Sequence, residues 1–271
     1  MAGNTDPGIA LGLGLLQGVT EFLPVSSSGH LATFAMFVEV PQMSLALTVL
    51  LHAATLLATL IVFYPDLRDL TLATARHATR PGELLRTGEG ALLRDIVVAC
   101  VPTGLIGLSL EAHMDQLVRN PFVVGGGFFV SALAAYLTRD RESGRDSLGV
   151  GPALVVGIIQ GLAVLPGVSR SGSTIACALL LGASAPTAFR FSFLVSMPVI
   201  AGATALELGK PGVAADLDAT AWLAAAITFV VGYASLHWLR RLLTRGRFWL
   251  FAWYLIPLGA AMVIGGLLGA T

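Results

Sequence analysis

One short pattern occurs twice in this chain, and each time it carries polar residues into an apolar stretch. The first copy is Gly14-Leu-Leu-Gln17-Gly18-Val-Thr-Glu21-Phe-Leu-Pro-Val25-Ser26-Ser27-Ser28-Gly29-His30. The second is Gly157-Ile-Ile-Gln160-Gly161-Leu-Ala-Val-Leu-Pro-Gly-Val168-Ser169-Arg170-Ser171-Gly172-Ser173. At a constant offset of 143 residues they align without a gap, matching at Gly14/Gly157, Gln17/Gln160, Gly18/Gly161, Val25/Val168, Ser26/Ser169, Ser28/Ser171 and Gly29/Gly172, seven identities in 17 positions. Two copies half a chain apart mark a duplicated half, and the broken, hydroxyl-rich segments are where function is expected.

The surrounding composition places the repeat in a membrane. With 55% hydrophobic and 12% charged residues, against about 25% charged in ordinary globular chains, the chain is not a soluble domain. Six runs, Ser44–Tyr64, Ala91–Leu110, Pro121–Leu137, Ala188–Leu208, Ala219–Leu239 and Phe248–Gly269, roughly match the ~20 residues that cross a bilayer. The expected fold is therefore an all-α, polytopic, inner- or plasma-membrane protein with about six transmembrane helices. It forms one integral membrane domain over residues 1–271, built from two halves of about 1–140 and 150–271. The start of the chain lacks the basic region of a cleavable signal peptide. Cys100 and Cys177 lie in apolar runs without metal-ligand spacing, which predicts buried, inert thiols.

Charge assigns the loops to sides. Arg68, Arg76, Arg80, Arg86 and Arg94 follow the first span, Arg139, Arg141 and Arg145 the third, and Arg240, Arg241, Arg245 and Arg247 the fifth. The loops after the second and fourth spans hold only Arg119 and Lys210. The basic loops are thus cytoplasmic, and the longest of them, Pro65–Gly90, reads as amphipathic and lipid-facing. Three spans separate the two motif copies, an odd number, so the copies enter from opposite faces as an inverted-topology repeat. That reading requires Leu11–Val38 and Pro152–Leu181 to be re-entrant helix hairpins, since each arm is too short to span. The competing reading is a pair of ordinary spans with a few polar residues.

The turns carry the chemistry. Serines stand where helices start, the N-cap position. Capping needs one hydroxyl, however, and each turn supplies several. Two helix N-termini with free N–H groups favour an anion such as a phosphate or diphosphate, bound by Ser26, Ser28, Ser169, Ser171 and Thr174. Arg170 at membrane depth costs at least roughly 2.5–3.5 kcal/mol, so it has a task or a partner: a clamp on phosphate oxygens, a salt bridge with Glu21 on the other hairpin, or both. Gln17 and Glu21 share a helical face and form a half-shell suited to Mg²⁺ or Ca²⁺. His30 could act as a base or position a hydroxyl, whereas His52, mid-span and outside any motif, reads as a packed histidine with one internal hydrogen bond. Without aromatic interleaving, the basic loops do not suggest nucleic acid. Membrane lipids are the expected surroundings, and a homodimer is compatible with the sequence without being required by it.

At these two turns the chain resembles the undecaprenyl-diphosphate phosphatase, or bacitracin-resistance, family. The family's (E/Q)xxxE-F-L-P-[VI]-S-S-[ST]-G-H segment is matched by Gln17 and by Glu21 through His30, and its P-G-x-S-R-S-G-x-T segment by Pro166 through Thr174. The resemblance implies hydrolysis of a polyprenyl diphosphate to the monophosphate with a divalent cation, recycling the lipid carrier of cell-wall synthesis at a site open to the outer face. It further implies Glu21 on the metal or in acid–base work, Ser27 as nucleophile or hydroxyl ligand, His30 as its assistant, and Arg170 as clamp on the phosphoryl group. Gln17 stands where many members have Glu, which removes one charge from any metal shell. Two other readings stay open: a transporter or flippase for an anionic lipid or small anion, which the inverted repeat alone favours, and a non-catalytic scaffold whose turns only cap helices.

Overall fold

The computed structural model describes residues 6–38, 44–140, 144–209 and 217–269. Arg141 and Lys210, which entered the charge pattern, lie outside these segments. Thirteen α-helices account for most of the described residues, and no strand is found among them. In chain order they are α1 (Pro7–Thr20), α2 (Ser27–Val38), α3 (Leu45–Val62), α4 (Tyr64–Arg76), α5 (Pro81–Leu84), α6 (Gly88–Glu111) and α7 (Met114–Val118). The chain continues with α8 (Pro121–Tyr136), α9 (Val150–Leu162), α10 (Arg170–Leu180), α11 (Ala185–Leu208), α12 (Ala219–Thr244) and α13 (Phe251–Leu267), the last preceded by a 3₁₀ turn, Phe248–Leu250.

Five helical segments are long and apolar enough to cross a membrane: α3, α6, α11, α12 and the turn with α13. The sixth expected span, Pro121–Leu137, falls short of that. Its helix α8 has 16 residues, or about 24 Å at 1.5 Å per residue, against a hydrocarbon core of about 30 Å. Its start is set by Asn120, whose side chain accepts from the backbone N–H groups of Phe122 and Val123. The hydropathy of the run is correct, but a cap and Pro121 at the first helical position leave the helix no earlier start.

Both motif copies form helix–turn–helix hairpins, α1–α2 and α9–α10, with arms of 14, 12, 13 and 11 residues. The halves are not side by side but interleaved: α1 packs on α12, α9 on α6, and α8 on α13. The two hairpin contacts are built alike. A side chain at Gly14 would sit 2.6 Å from the Ala224 carbonyl oxygen, and one at Gly157 2.2 Å from that of Ala99, so both positions exclude even a methyl group. The Thr228 hydroxyl lies 2.8 Å from the Gly14 carbonyl oxygen, and the Thr103 hydroxyl 2.8 Å from that of Gly157. Close backbone approach at small residues, joined by a hydroxyl, is how helices associate where lipid removes the hydrophobic incentive.

The lipid side is equally legible on α6, where Val97, Val101 and Leu105 are 55–68% exposed at helical spacing. Inside, Phe193 of α11 meets Phe22 at 5.8 Å between ring centroids and Phe63 at 5.7 Å, fixing the first hairpin's turn to the bundle. Between α3 and α6, the basic loop folds into α4 and α5. Helix α4 packs on α6, and its Asp66 pairs with Arg190 of α11.

Candidate active site

The two hairpin tips meet. A side chain at Gly29 would come within 2.8 Å of the Gly167 Cα, and one at Gly172 within 3.1 Å of the Pro24 Cβ. Each tip is capped in the same way: Ser26 Oγ accepts from the Gly29 N–H at 3.2 Å and Ser169 Oγ from the Gly172 N–H at 3.0 Å. Each capping serine also has the serine two residues on at 3.3 Å, Ser28 in the first turn and Ser171 in the second. Capping therefore accounts for Ser26 and Ser169, and leaves the residue after each of them free for another use.

Those two residues are Ser27 and Arg170, and both are bonded to Glu21. The Ser27 hydroxyl donates to Glu21 Oε2 at 2.6 Å, the Gln17 amide donates to the same oxygen at 2.9 Å, and Arg170 Nη2 donates to Glu21 Oε1 at 2.5 Å. The ion pair the sequence allowed between the hairpins is thus formed, and it joins residues 149 positions apart. The Glu21 side chain is 5% exposed and the Arg170 side chain 24%. A guanidinium so placed offsets the cost of a buried carboxylate while keeping part of its own fork available.

Around this junction lies a cavity of about 740 Å³. Glu21, Ser26, Ser27, Ser28, Ser169, Arg170 and Gln160 form its polar end. Leu45 and Val49 of α3, Gly104 and Leu108 of α6, and Val199 and Ala203 of α11 belong to its apolar body. A ligand with an anionic head and a hydrocarbon chain matches both ends. Ser171 and Thr174 do not line the cavity: Ser171 Oγ donates to the Leu23 carbonyl at 3.3 Å, and the Thr174 hydroxyl is bonded to the Arg170 carbonyl and to Ser192.

His30 also lies behind the cavity wall rather than in it. Its Nδ1 is 2.8 Å from the Ser26 carbonyl oxygen and its Nε2 2.7 Å from the Tyr254 hydroxyl. Tyr254 stacks on it at 5.7 Å and Phe128 meets its edge at 5.4 Å. Both ring nitrogens are taken, and the residue that Nδ1 holds is Ser26, the one non-glycine residue at positive φ among the described residues, at 67°. Such a conformation costs a few kcal/mol at most and persists only where neighbours enforce it. The second turn is held from α8 instead: the Ser131 hydroxyl accepts from the Ser169 N–H at 2.7 Å and donates to the Gly167 carbonyl at 3.0 Å.

Sequence reasoning passed over Ser131 and Tyr254, which belong to no motif. It also set aside His52, which makes its expected internal bond, to the Thr48 carbonyl at 2.9 Å, yet lines the cavity. Cys100 lines it as well, and both cysteines are free, half-buried thiols. The Gln17 and Gln160 side chains, equivalent in the two motifs, each leave a buried Oε1 without a hydrogen-bond partner among the described residues.

The chain is similar to known proteins over most of its length. Residues 10–261 match the family described as Bacitracin resistance protein BacA. An undecaprenyl-diphosphatase of Desulfosudis oleivorans is 42% identical over 264 residues, covering 91% of this chain and 94% of the relative. One of Desulforapulum autotrophicum is 37% identical over 265 residues, covering 94% and 96%. One of Korarchaeum cryptofilum is 34% identical over 256 residues, covering 94% and 97%.

Proposed function

The chain belongs to the Bacitracin resistance protein BacA family, and we propose that it is an integral membrane undecaprenyl-diphosphatase whose reaction runs at the Glu21–Arg170 junction. It releases phosphate from undecaprenyl diphosphate and leaves the monophosphate, returning the lipid carrier to cell-wall synthesis. The observation that carries the site assignment is the junction itself: a hydroxyl, a carboxylate and a guanidinium in hydrogen-bonded sequence at one end of a mostly apolar cavity.

In this reading Ser27 Oγ attacks the terminal phosphorus while Glu21, 2.6 Å away, takes its proton. Arg170 exchanges its bond to Glu21 for bonds to the phosphoryl oxygens, where a forked donor is most effective. The N-termini of α2 and α10, with Ser28 and Ser169 beside them, add fixed positive ends to the same place. His30 contributes by holding the Ser26 turn, which sets the position of Ser27.

A divalent cation fits this donor set when the substrate supplies most of its ligands. Gln17 Oε1 is buried and without a hydrogen-bond partner among the described residues, and it belongs to the amide that bonds Glu21. No group of three or more His, Cys, Asp or Glu side chains forms a ready cage among those residues. Mg²⁺ commonly sits with one or two carboxylates, waters and substrate phosphates, so Gln17 and Glu21 are the protein groups that would hold it. The bound ion would neutralise phosphate charge.

The topology we infer is an inverted repeat, with the α1–α2 and α9–α10 hairpins entering the membrane from opposite faces. The interleaved packing of α1 on α12 and α9 on α6 supports it, as do hairpin arms too short to span. The cavity lining runs to Glu111 and Glu207, at the C-terminal ends of α6 and α11. The loops beyond those ends are poor in arginine and lysine, which makes the mouth external. The same repeat favours movement of the lipid across the membrane as a second reading.

The test is phosphate release from undecaprenyl diphosphate by purified protein in detergent, with and without Mg²⁺ or Ca²⁺, beside Arg170→Ala. The expected result is cation-dependent release that falls about 10³-fold in the variant, the scale of a lost arginine on a transferring phosphoryl group. Arg170→Ala protein within tenfold of wild type would sink the site, and folded wild type without release would shift the reading to transport.

A further inference from the structure

The reaction needs protons moved at two places, and the residues assigned above cover one. Glu21 takes the proton of Ser27. When the phosphorus–oxygen bond breaks, however, the electron pair passes to the bridging oxygen of the departing polyprenyl monophosphate, which then needs a proton or a strong donor. Arg170 can donate hydrogen bonds but does not give up a proton in proteins. His30 has both ring nitrogens engaged behind the wall.

His52, in the third turn of α3, is placed differently. It is half-buried and lines the cavity together with Glu21, Ser27 and Arg170. Its Nδ1 donates to the Thr48 carbonyl at 2.9 Å, which fixes the ring and leaves Nε2 as the nitrogen that exchanges protons. Nε2 has no hydrogen-bond partner among the described residues. Of the five histidines in the chain, His52 is the one in the cavity lining.

We propose that His52 is a second acid–base group of this reaction, acting through Nε2 on the leaving phosphate and then on water; the proposal rests on the phosphatase reading above. In the first half, Ser27 Oγ bonds to the terminal phosphorus and its proton passes to Glu21. The bond from that phosphorus to the bridging oxygen breaks, and the imidazolium gives its Nε2 proton to the departing oxygen. In the second half, water attacks the phosphoserine, one of its protons returns to His52 Nε2, and Ser27 Oγ leaves with the proton held by Glu21. Serine, carboxylate and imidazolium are restored, and the net change is diphosphate plus water to monophosphate plus phosphate.

The titratable and charged groups sharing the cavity are Glu21, Cys100, Glu111, Arg170 and Glu207. Those on the other helices packed against α3, namely Tyr233, His237, Arg240 and Arg241 of α12, Arg190 of α11, and Tyr64, Asp66, Arg68, Asp69 and Arg76 of α4, are outside its lining. The test measures kcat, KM and the pH dependence of kcat for wild type and His52→Gln with undecaprenyl diphosphate in detergent. His52→Ala is assayed with and without added imidazole. Loss of a general acid–base predicts a kcat lower by about 100-fold or more, with KM changed by less than about threefold. It also predicts loss of the alkaline limb of kcat, because the donor must be protonated for the first half, and recovery of His52→Ala by imidazole. A His52→Gln kcat within about threefold of wild type, or a higher KM with the alkaline limb intact, overturns the assignment. Wild type that releases no phosphate removes the phosphatase reading, and the assignment with it.

Discussion

The two hairpins differ where they are most alike. Each has an apolar helix with glycines at matching positions, a turn ending in Val-Ser-x-Ser-Gly, a serine cap and a glycine three residues after it. Within this common frame ten of the 17 aligned positions differ, and three of them matter most here: Glu21 faces Val164 in the alignment, Ser27 faces Arg170, and His30 faces Ser173. One hairpin thus carries the carboxylate and the hydroxyl and the other the guanidinium. A symmetric site would have placed two carboxylates or two guanidinium groups together, each repelling its twin. Duplication supplied the frame, and unlike substitutions at matching positions made a neutral, bonded junction from it. The backbones also diverge: Ser26 lies at φ 67° and its equivalent Ser169 at −77°, while the second turn places its positive φ at Gly167.

The comparison breaks most easily at Ser27. Ser27→Ala should lower turnover by about 10³-fold if its oxygen attacks and should abolish phosphate bound to the protein in acid-quenched reactions. A loss below about tenfold would mean that the hydroxyl only orients water. Making the hairpins more alike comes next. Val164 is 36% exposed in the cavity, so Val164→Glu adds a second negative charge near the anion. KM for the diphosphate should rise about tenfold, as expected for roughly 1.4 kcal/mol of lost binding, and more at low salt. An unchanged KM would place Val164 away from the head group. The smallest effect concerns the caps. Ser169→Gly, at an ordinary φ, should cost up to about 1 kcal/mol in cap and backbone freedom. Ser26→Gly should cost less, because glycine relieves the left-handed backbone. Equal midpoint shifts for the two variants in detergent unfolding would refute that asymmetry.

Much of this site was open to reading in one dimension. Glu21, Ser27 and Arg170 stood out because charge and clustered hydroxyls are costly in an apolar run, and the capping role of Ser26 and Ser169 follows from their place before a helical run. His52 and Tyr254 gave no such signal, because a lone polar side chain in a span looks the same whether it faces a cavity, a partner or a helix carbonyl. Ser131 was similarly silent, whereas the shortness of α8 was already visible in the run itself, which Asn120 and Thr138 bound.

The sequence by itself determined the class of the molecule, the duplication, the hairpins and the unlike residues at matching positions, since these depend on local composition, spacing and solvent. The tertiary structure decided that the halves interleave, that the tips touch at Gly29 and Gly172, that His30 turns behind the wall and that His52 turns into the cavity. Those outcomes depend on which surfaces of distant helices fit at backbone contact, as Gly14 does against Ala224 and Gly157 against Ala99. Steric fit between segments far apart in the chain leaves no periodic trace along it.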